Sequence, residues 1–433
     1  METLASFFLA CLAVGTWVNS QLASCGWAGF TAVACLQLFR ERSYREVFCN
    51  FHRAHKIWIV VVLIPIVAFC SILWSLVTFK YGWHACHKYF HFWVILVAIP
   101  YFMHCPKVVA VVFKYFVWTG ALYCTVRMVF YPNDAIWYFV NPDNIKIKVT
   151  IWTAVIMAFI TTKILTENVN RRNLTQLIFF TVFLFGINTE RTGVIASVIS
   201  LVLLCWMAGI RTWKNRHATA EAKMVMAKNI IVVVGVRTAA VVFGCGLLLP
   251  LYQRLARWDL IEVSKDIVIV SKDIVSKDIL RFFQQHKIND ERLAQIVAEI
   301  LSWKYKPMFG WGIAGWHALY HGGWWPTENN PLSTPHCHFE WLLWLLEFGI
   351  CGEVLLIIWF GWCFGYFVKN RHYIFWSNFG GILQVIYLFS GCCEIVFHPI
   401  GTQSVYVLAT CACIAMIERE TMRSRAADTV VRR

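Results

Sequence analysis

The sequence predicts an all-α fold: a polytopic transmembrane helical bundle of about twelve spans, carrying one large loop domain outside the membrane. Three observations predict it. Hydrophobic residues make up 59% of the chain and charged residues only 15%, against roughly 25% charged in a soluble domain. Apolar runs of about 20 residues recur along most of the length, enough to cross a hydrocarbon core of ~30 Å. A single long polar interval, 252–338, interrupts them. The formal charge of +15 lies in short connections and the tail, where lysine and arginine set topology; no nucleic-acid partner is expected. The 17 cysteines fall mostly inside apolar runs without paired spacing, as buried small residues rather than a disulfide or zinc framework.

Thr3–Val18 and Leu22–Phe39 read as the first two spans, with Asn19-Ser20-Gln21 as their turn. Met1-Glu2-Thr3 lacks the basic start of a signal peptide, so the first run is expected to be retained. Arg40, Arg42, Arg45, Arg53 and Lys56 form a basic, cytoplasmic connection. Spans three to five follow at Ile57–Phe79, His84–Met103 and Val108–Phe130, then an aromatic external loop, Tyr131–Lys148. Val149–Leu165, Leu174–Ile187 and Thr192–Ile210 are spans six to eight; Arg171 and Arg172 lie inside and Asn188–Arg191 outside. A third basic connection (Arg211, Lys214, Arg216, Lys223, Lys228) precedes span nine, Ile230–Leu251. Spans ten to twelve are Phe339–Phe367, Tyr373–Leu388 and Val405–Ile417. With both termini inside, every basic connection falls on the cytoplasmic side. The chain thus divides into helices one to nine (1–251), an external loop domain (252–338), helices ten to twelve (339–418) and a basic cytoplasmic tail (419–433).

Unusual chemistry collects between Arg292 and Gly352. Arg292 opens an amphipathic run and a Pro-x-x-Gly-x-Gly turn follows (Pro307, Gly310, Gly312). Next come a loop rich in Trp and His, then His336-Cys337-His338 at the mouth of an apolar run holding Glu340 and Glu347. Ionisable groups at the entrance to a span are costly, which points to function. Within the same external interval, SKDIV at 264–268 and 271–275 and SKDIL at 276–280 form a short tandem repeat, read as polar surface.

The run RLAQIVAEILSWKYKPMFGWGIAGW, the later HCHFEWLLWLLEFGICG and the earlier TERTGVIASVISLVLL resemble, in order and spacing, three signature segments of the O-antigen ligase family. The chain departs from the pattern at Phe339, where the family carries Asn, and at Trp341, where it carries Tyr. The resemblance implies a membrane glycosyltransferase that moves a glycan from undecaprenyl diphosphate to a lipid A-core or similar acceptor on the periplasmic side of the bacterial inner membrane. It implies that Arg191, Arg292 and His338 are the catalytic residues.

Their chemistry suits those roles. Arginine donates two parallel hydrogen bonds to phosphate oxygens and keeps its charge, so Arg191 and Arg292 would hold the diphosphate and stabilise the charge that develops as it leaves. Read alone, Arg191 fits equally an interfacial residue paired with Glu190, and Arg292 a solvated helix residue. His338 would take the acceptor hydroxyl proton in one inverting displacement; read alone it caps a helix mouth. His336 and His338 supply too few ligands for a metal, so neither metal nor cofactor is expected. Arg237, Glu347, Gly310, Gly312 and Trp316 are supporting candidates. Arg237 either adds to the diphosphate site or snorkels, and Glu347 either pairs with an arginine or orients His338. Trp311, Trp316, Trp324 and Trp325 either stack on sugars or anchor at the membrane surface. His84, His87 and His91 share one helical face, as a metal site or as interfacial residues.

A polysaccharide polymerase or a protein O-oligosaccharyltransferase would use the same donor and is the nearest alternative. A transporter or flippase would favour charges buried mid-span and an internal repeat of spans, neither of which is evident.

Overall fold

The computed structural model describes residues 1–130, 145–167, 169–186, 191–214, 219–243, 291–321, 325, 339–392, 396–397 and 400–431. All regular structure among them is helical: α1 Glu2–Val18, α2 Ser20–Arg40, α3 Arg42–Ala54, α4 Trp58–Cys70, α5 Phe79–Cys86, α6 His91–His104, α7 Lys107–Phe130, α8 Ile145–Thr166, α9 Arg171–Gly186, α10 Arg191–Lys214, α11 Ala220–Phe243, α12 Glu291–Trp303, α13 Gly315–His321, α14 Glu340–Lys369, α15 Ile374–Gly391 and α16 Ile400–Val431. Short 3-10 turns extend α4 (Ser71–Trp74) and lead into α6 (His87–Phe90).

Each of the twelve apolar stretches carries a helix. Among the described residues, seven helices are long and apolar enough to cross a membrane, or eight if one bent pair is a single span. Glu2–Val18 and Val194–Ile210 are apolar but shorter. The ninth stretch begins earlier than expected: α11 starts at Ala220, and residues 244–251 lie outside the described part. The basic tail continues α16 as helix to Val431.

Two departures from the sequence reading have clear physical causes. The basic connection 40–56 is the helix α3, which meets the α4 segment at 86°. Tyr44, Val47, Phe48 and Phe51 recur at helical spacing on its apolar side. Tyr44 and Phe51 are buried, and the Tyr44 hydroxyl donates to the Val97 carbonyl of α6 at 3.1 Å.

The second departure concerns α14, which is not one continuous span. Gly349 has φ 63° and ψ −165°, a region open essentially to glycine alone. The Trp341 ring lies 5.5 Å from the Phe360 ring, whereas nineteen residues of straight helix would separate them by about 28 Å. The chain therefore folds back at Gly349, giving an entry limb, 340–348, and a crossing limb, 350–369. The crossing limb alone supplies about 30 Å of helix.

The entry limb is buried on two sides. Trp344 and Phe348 pack on Tyr89, each at 5.3 Å, as part of the main core. Leu343 and Leu346 join a second, smaller core with Ala294, Ala298, Trp311, Trp316, Leu319 and Trp325. This second core is a cap built from α12, α13 and the segment between them.

Candidate active site

The local sequence explains how cap and bundle meet. A helix broken at Gly349 leaves the carbonyls before it and the N–H groups after it without helical partners. The Pro307–Gly312 segment supplies them. Trp311 and Gly312 N–H donate to the Leu346 and Glu347 carbonyls, both at 2.8 Å, while Ile350 and Cys351 N–H donate to Pro307 and Met308 carbonyls at 2.9 and 3.2 Å. Gly310 and Gly312 have φ 66° and 85°. A Cβ on Gly310 would stand 2.5 Å from the Glu347 carbonyl, and one on Gly312 would stand 2.6 Å from the Ser71 carbonyl. Both glycines are needed for close approach as well as for backbone conformation.

The other side of the turn is tied to the end of α4. Ile313 N–H donates to Ser71 Oγ at 2.9 Å, Ser75 Oγ donates to the Ile313 carbonyl at 2.6 Å, and Trp74 Nε1 donates to the Phe309 carbonyl at 3.2 Å. The Pro-x-x-Gly-x-Gly segment is thus a bracket between α4 and the break in α14.

The three principal candidates lie at or beyond the edges of the described residues. Arg292 lies in the first turn of α12, which packs on α14; its side chain is outside the described part. His338 also lies outside the described residues, two positions ahead of the entry limb. Arg191 opens α10, its side chain likewise not described. α10 and α14 both pack against α15. The SKDIV repeat, Trp324, His336 and the Asn188–Glu190 part of the external loop also fall outside the described residues.

Among the supporting candidates, Arg237 is buried on α11, so it does not snorkel to the membrane surface. Its guanidinium donates to the Ser197 carbonyl at 3.2 Å and to Ser197 Oγ. Ser197 stands six residues along α10 from Arg191, about 9 Å of rise. The charge is therefore held two turns from the mouth of that helix.

Glu347 is buried at the end of the entry limb. Burial, and after it the Glu347 carboxylate, push the Tyr81 hydroxyl above its ordinary range. The Tyr81 ring lies 4.7 Å from the ring of His317, which in turn lies 4.2 Å from His321. Burial and the neighbouring His321 hold His317 below the usual histidine range, so its neutral form is favoured.

Three of the four candidate tryptophans lie inside the cap. Trp311, Trp316 and Trp325 are buried in the cap core. Trp311 Nε1 donates to the Ser302 carbonyl at 2.8 Å and Trp325 Nε1 to Ser302 Oγ at 2.7 Å. Trp316 stacks on Tyr320 at 5.6 Å, and the Lys306 ammonium sits 4.4 Å over the Trp311 ring.

The histidines of the fourth stretch diverge. His84 and His87 face each other at 5.0 Å, whereas His91 turns inward, 3.1 Å from Gln403 Oε1 and stacked on Trp27. No three metal-capable side chains converge among the described residues.

Glu340 has a structural role that the sequence reading did not assign. Glu340 is fully buried; it accepts from Trp344 Nε1 at 2.8 Å and from the backbone N–H groups of Val396 and Phe397 at 2.7 and 3.1 Å. It ties the start of the entry limb to the segment before α16. Its buried carboxylate beside two histidines was the available signal, but nothing in the sequence pointed to residues 396–397.

Residues 176–357, which run from α9 into the crossing limb, match the sequence model of the O-antigen ligase family. Over that segment the chain is similar to the O-antigen ligase family. The O-antigen ligase match takes in Arg191, Arg237, Arg292, the bracket, His338 and the break at Gly349. The match implies a membrane ligase of the glycosyltransferase type, with glycan and lipid substrates. No curated protein matches the chain.

Proposed function

We propose that this protein transfers a glycan from undecaprenyl diphosphate to a lipid A-core or similar acceptor on the periplasmic face of the bacterial inner membrane. His338 takes the proton of the acceptor hydroxyl, whose oxygen attacks the anomeric carbon. The bond from that carbon to the diphosphate oxygen breaks, and its electron pair leaves with undecaprenyl diphosphate. Arg191 and Arg292 hold the diphosphate, and Arg237 adds positive field from below. The single displacement inverts the anomeric centre and needs no metal in this scheme. Both termini are placed in the cytoplasm, with 252–338 as the periplasmic loop domain.

The observation that carries this reading is the bracket. It pins α12, which bears Arg292, to the limb that follows His338, through four backbone hydrogen bonds at the break in α14. An anion-binding residue and a base on separate segments need such fixation, because misplacement by about 1 Å costs on the order of 10²-fold in rate.

The test is transfer of an undecaprenyl-diphosphate-linked glycan by the purified protein in nanodiscs. General base catalysis is worth ~10²–10⁴-fold, so His338→Ala should lose about that much, and His336→Ala far less. Arg191→Lys and Arg292→Lys should each lose transfer while the protein remains in the membrane. Full activity of His338→Ala would overturn the assignment of the base; equal losses in both histidine variants, together with inhibition by a chelator, would replace it with a metal site. In cells lacking the protein, accumulated long lipid-linked chains are expected, whereas single repeat units would make it a polymerase.

A further inference from the structure

The outer side of α3 carries positive charge that pairs with no carboxylate among the described residues. The helix stands at 86° to the uncharged α4 segment, the attitude of a helix lying in the membrane interface. Its apolar side packs inward through Tyr44 and Phe51, which leaves Arg42, Arg45, Glu46 and Arg53 exposed on the other. Phe39, just before α3, is 78% exposed, and Trp58, just after it, is 38% exposed. Aromatic rings bared at both ends mark the level at which lipid begins.

The acids of α3 and its flanks are already engaged. Glu41 pairs with His104 at 2.8 Å and accepts from Gln37 and Ser43 at 2.6 and 2.7 Å. Glu46 pairs with Arg42 at 3.0 Å, and Glu418 of α16 pairs with His55 at 2.9 Å. Arg40, Arg45, Arg53 and Lys56 are exposed and make no ion pair among the described residues. They fall into two couples. Arg45 is held against the end of α2, where it donates to the Leu38 and Phe39 carbonyls at 3.3 and 3.0 Å and where Arg40 comes next in the chain. Arg53 and Lys56 flank His55 at the other end of α3.

Like charges gathered at a membrane surface attract anions, and phosphate is the anion that a bilayer supplies there. Arginine grips it through two parallel hydrogen bonds. We propose that α3 docks anionic phospholipid, with headgroup phosphates bound at its two ends: by Arg40 and Arg45 next to Phe39, and by Arg53 and Lys56 next to Trp58. This surface is remote from the break in α14. The Tyr366 hydroxyl donates to Glu418 at 2.8 Å, the same carboxylate that pairs with His55. Tyr366 stands seventeen residues past Gly349, about 25 Å of rise along the crossing limb. Lipid on α3 therefore anchors the bundle and takes no part in glycan transfer.

The experiment counts retained lipid by native mass spectrometry on the full chain in detergent. The protein is loaded with a phosphatidylglycerol or with the phosphatidylcholine of the same acyl chains, and the phosphatidylglycerol should be retained more strongly. Arg40→Gln and Arg53→Gln should each cut that preference about five-fold, the worth of one basic side chain at an anionic surface. Both side chains are exposed, so thermal unfolding should stay as it is. Arg42→Gln combined with Glu46→Gln removes an ion pair and no net charge, and should keep the preference. Arg171→Gln, which removes one positive charge at the start of α9, should keep it too. Equal retention of the two lipids by the unaltered protein, an equal loss with Arg171→Gln, or displacement of the phosphatidylglycerol by excess inorganic phosphate would overturn the proposal. Each of these results leaves the arginine and histidine roles in transfer to the transfer assay.

Discussion

The backbone N–H of Gly312 donates to the carbonyl of Glu347 at 2.8 Å, two residues before Gly349 breaks α14. This bond and its three companions replace the helical bonds that the break removes. The cap is therefore joined to the bundle by main chain, with the side chains around it packed in support.

Gly349→Ala should be severely destabilising. A Cβ there would overlap the carbonyl of Met308, and a non-glycine residue at this φ and ψ costs ~1–3 kcal/mol before any clash is counted. The measurement is thermal unfolding in detergent. Gly361→Ala is the control, because a Cβ at Gly361 meets nothing within 4 Å; it should leave the melting temperature unchanged or raise it.

Arg237 and Ser197 should behave as one unit. Hydrogen bonds to a charged group contribute ~1.5–3 kcal/mol, and the guanidinium holds both polar atoms of Ser197. Arg237→Met should be destabilising, Ser197→Ala less so, since the carbonyl contact survives. The double variant should be no worse than Arg237→Met alone, as a double-mutant cycle on stability would read.

Glu340→Gln should fail despite its close shape. The carboxylate accepts on both oxygens, from Trp344 on one and from Val396 and Phe397 on the other; an amide must turn a donor toward a donor on one side. A loss of about 1–3 kcal/mol is expected for a buried donor left unsatisfied. Hydrogen exchange should rise at Val396 and Phe397 if the amide faces them, and proteins carrying Glu340→Ala should show it more strongly.

Acidification should loosen α13. Because burial and His321 hold His317 below the usual histidine range, the unpacked state binds a proton more readily than the packed one. Packing stability from this group is thus full above the ordinary histidine pKa of about 6.5 and falls as pH drops below it. Amide exchange in Gly315–His321, corrected for intrinsic rates, should be faster at pH 5.5 than at pH 7.5, and His317→Gln should flatten that difference.

The helices were legible because burial in lipid demands long apolar runs, and each of the twelve runs carries one. Their number as membrane crossings was less legible. Hydropathy sums over Glu340–Lys369 and passes smoothly through Gly349, because a single residue's dihedral angles leave no mark on an average. The amphipathic spacing of Tyr44, Val47, Phe48 and Phe51 did carry the signal for α3, but the density of arginine around it reads first as a connection. At the candidate site, the Pro-x-x-Gly-x-Gly turn stood out by composition. Its partners did not: Ser71, Ser75 and the Leu346 and Glu347 carbonyls are ordinary groups chosen by three-dimensional proximity. Trp311 and Trp325 were ambiguous for a related reason, since an indole buried around Ser302 and one stacked on a sugar look alike in sequence.

The bracket also sets an order on the making of the protein. Trp74 and Ser75 at the end of α4 bind Phe309 and Ile313, 235 and 238 residues later in the chain. At translation speeds of ~5–20 residues per second, the nascent chain holds that end of α4 unpartnered for on the order of 10–50 s. α4 itself has only 13 residues and contains Pro65, too short to cross a bilayer unaided. Its final seat is settled only after the second half of the protein has been synthesised, so maturation ends with an early helix being locked by a late turn.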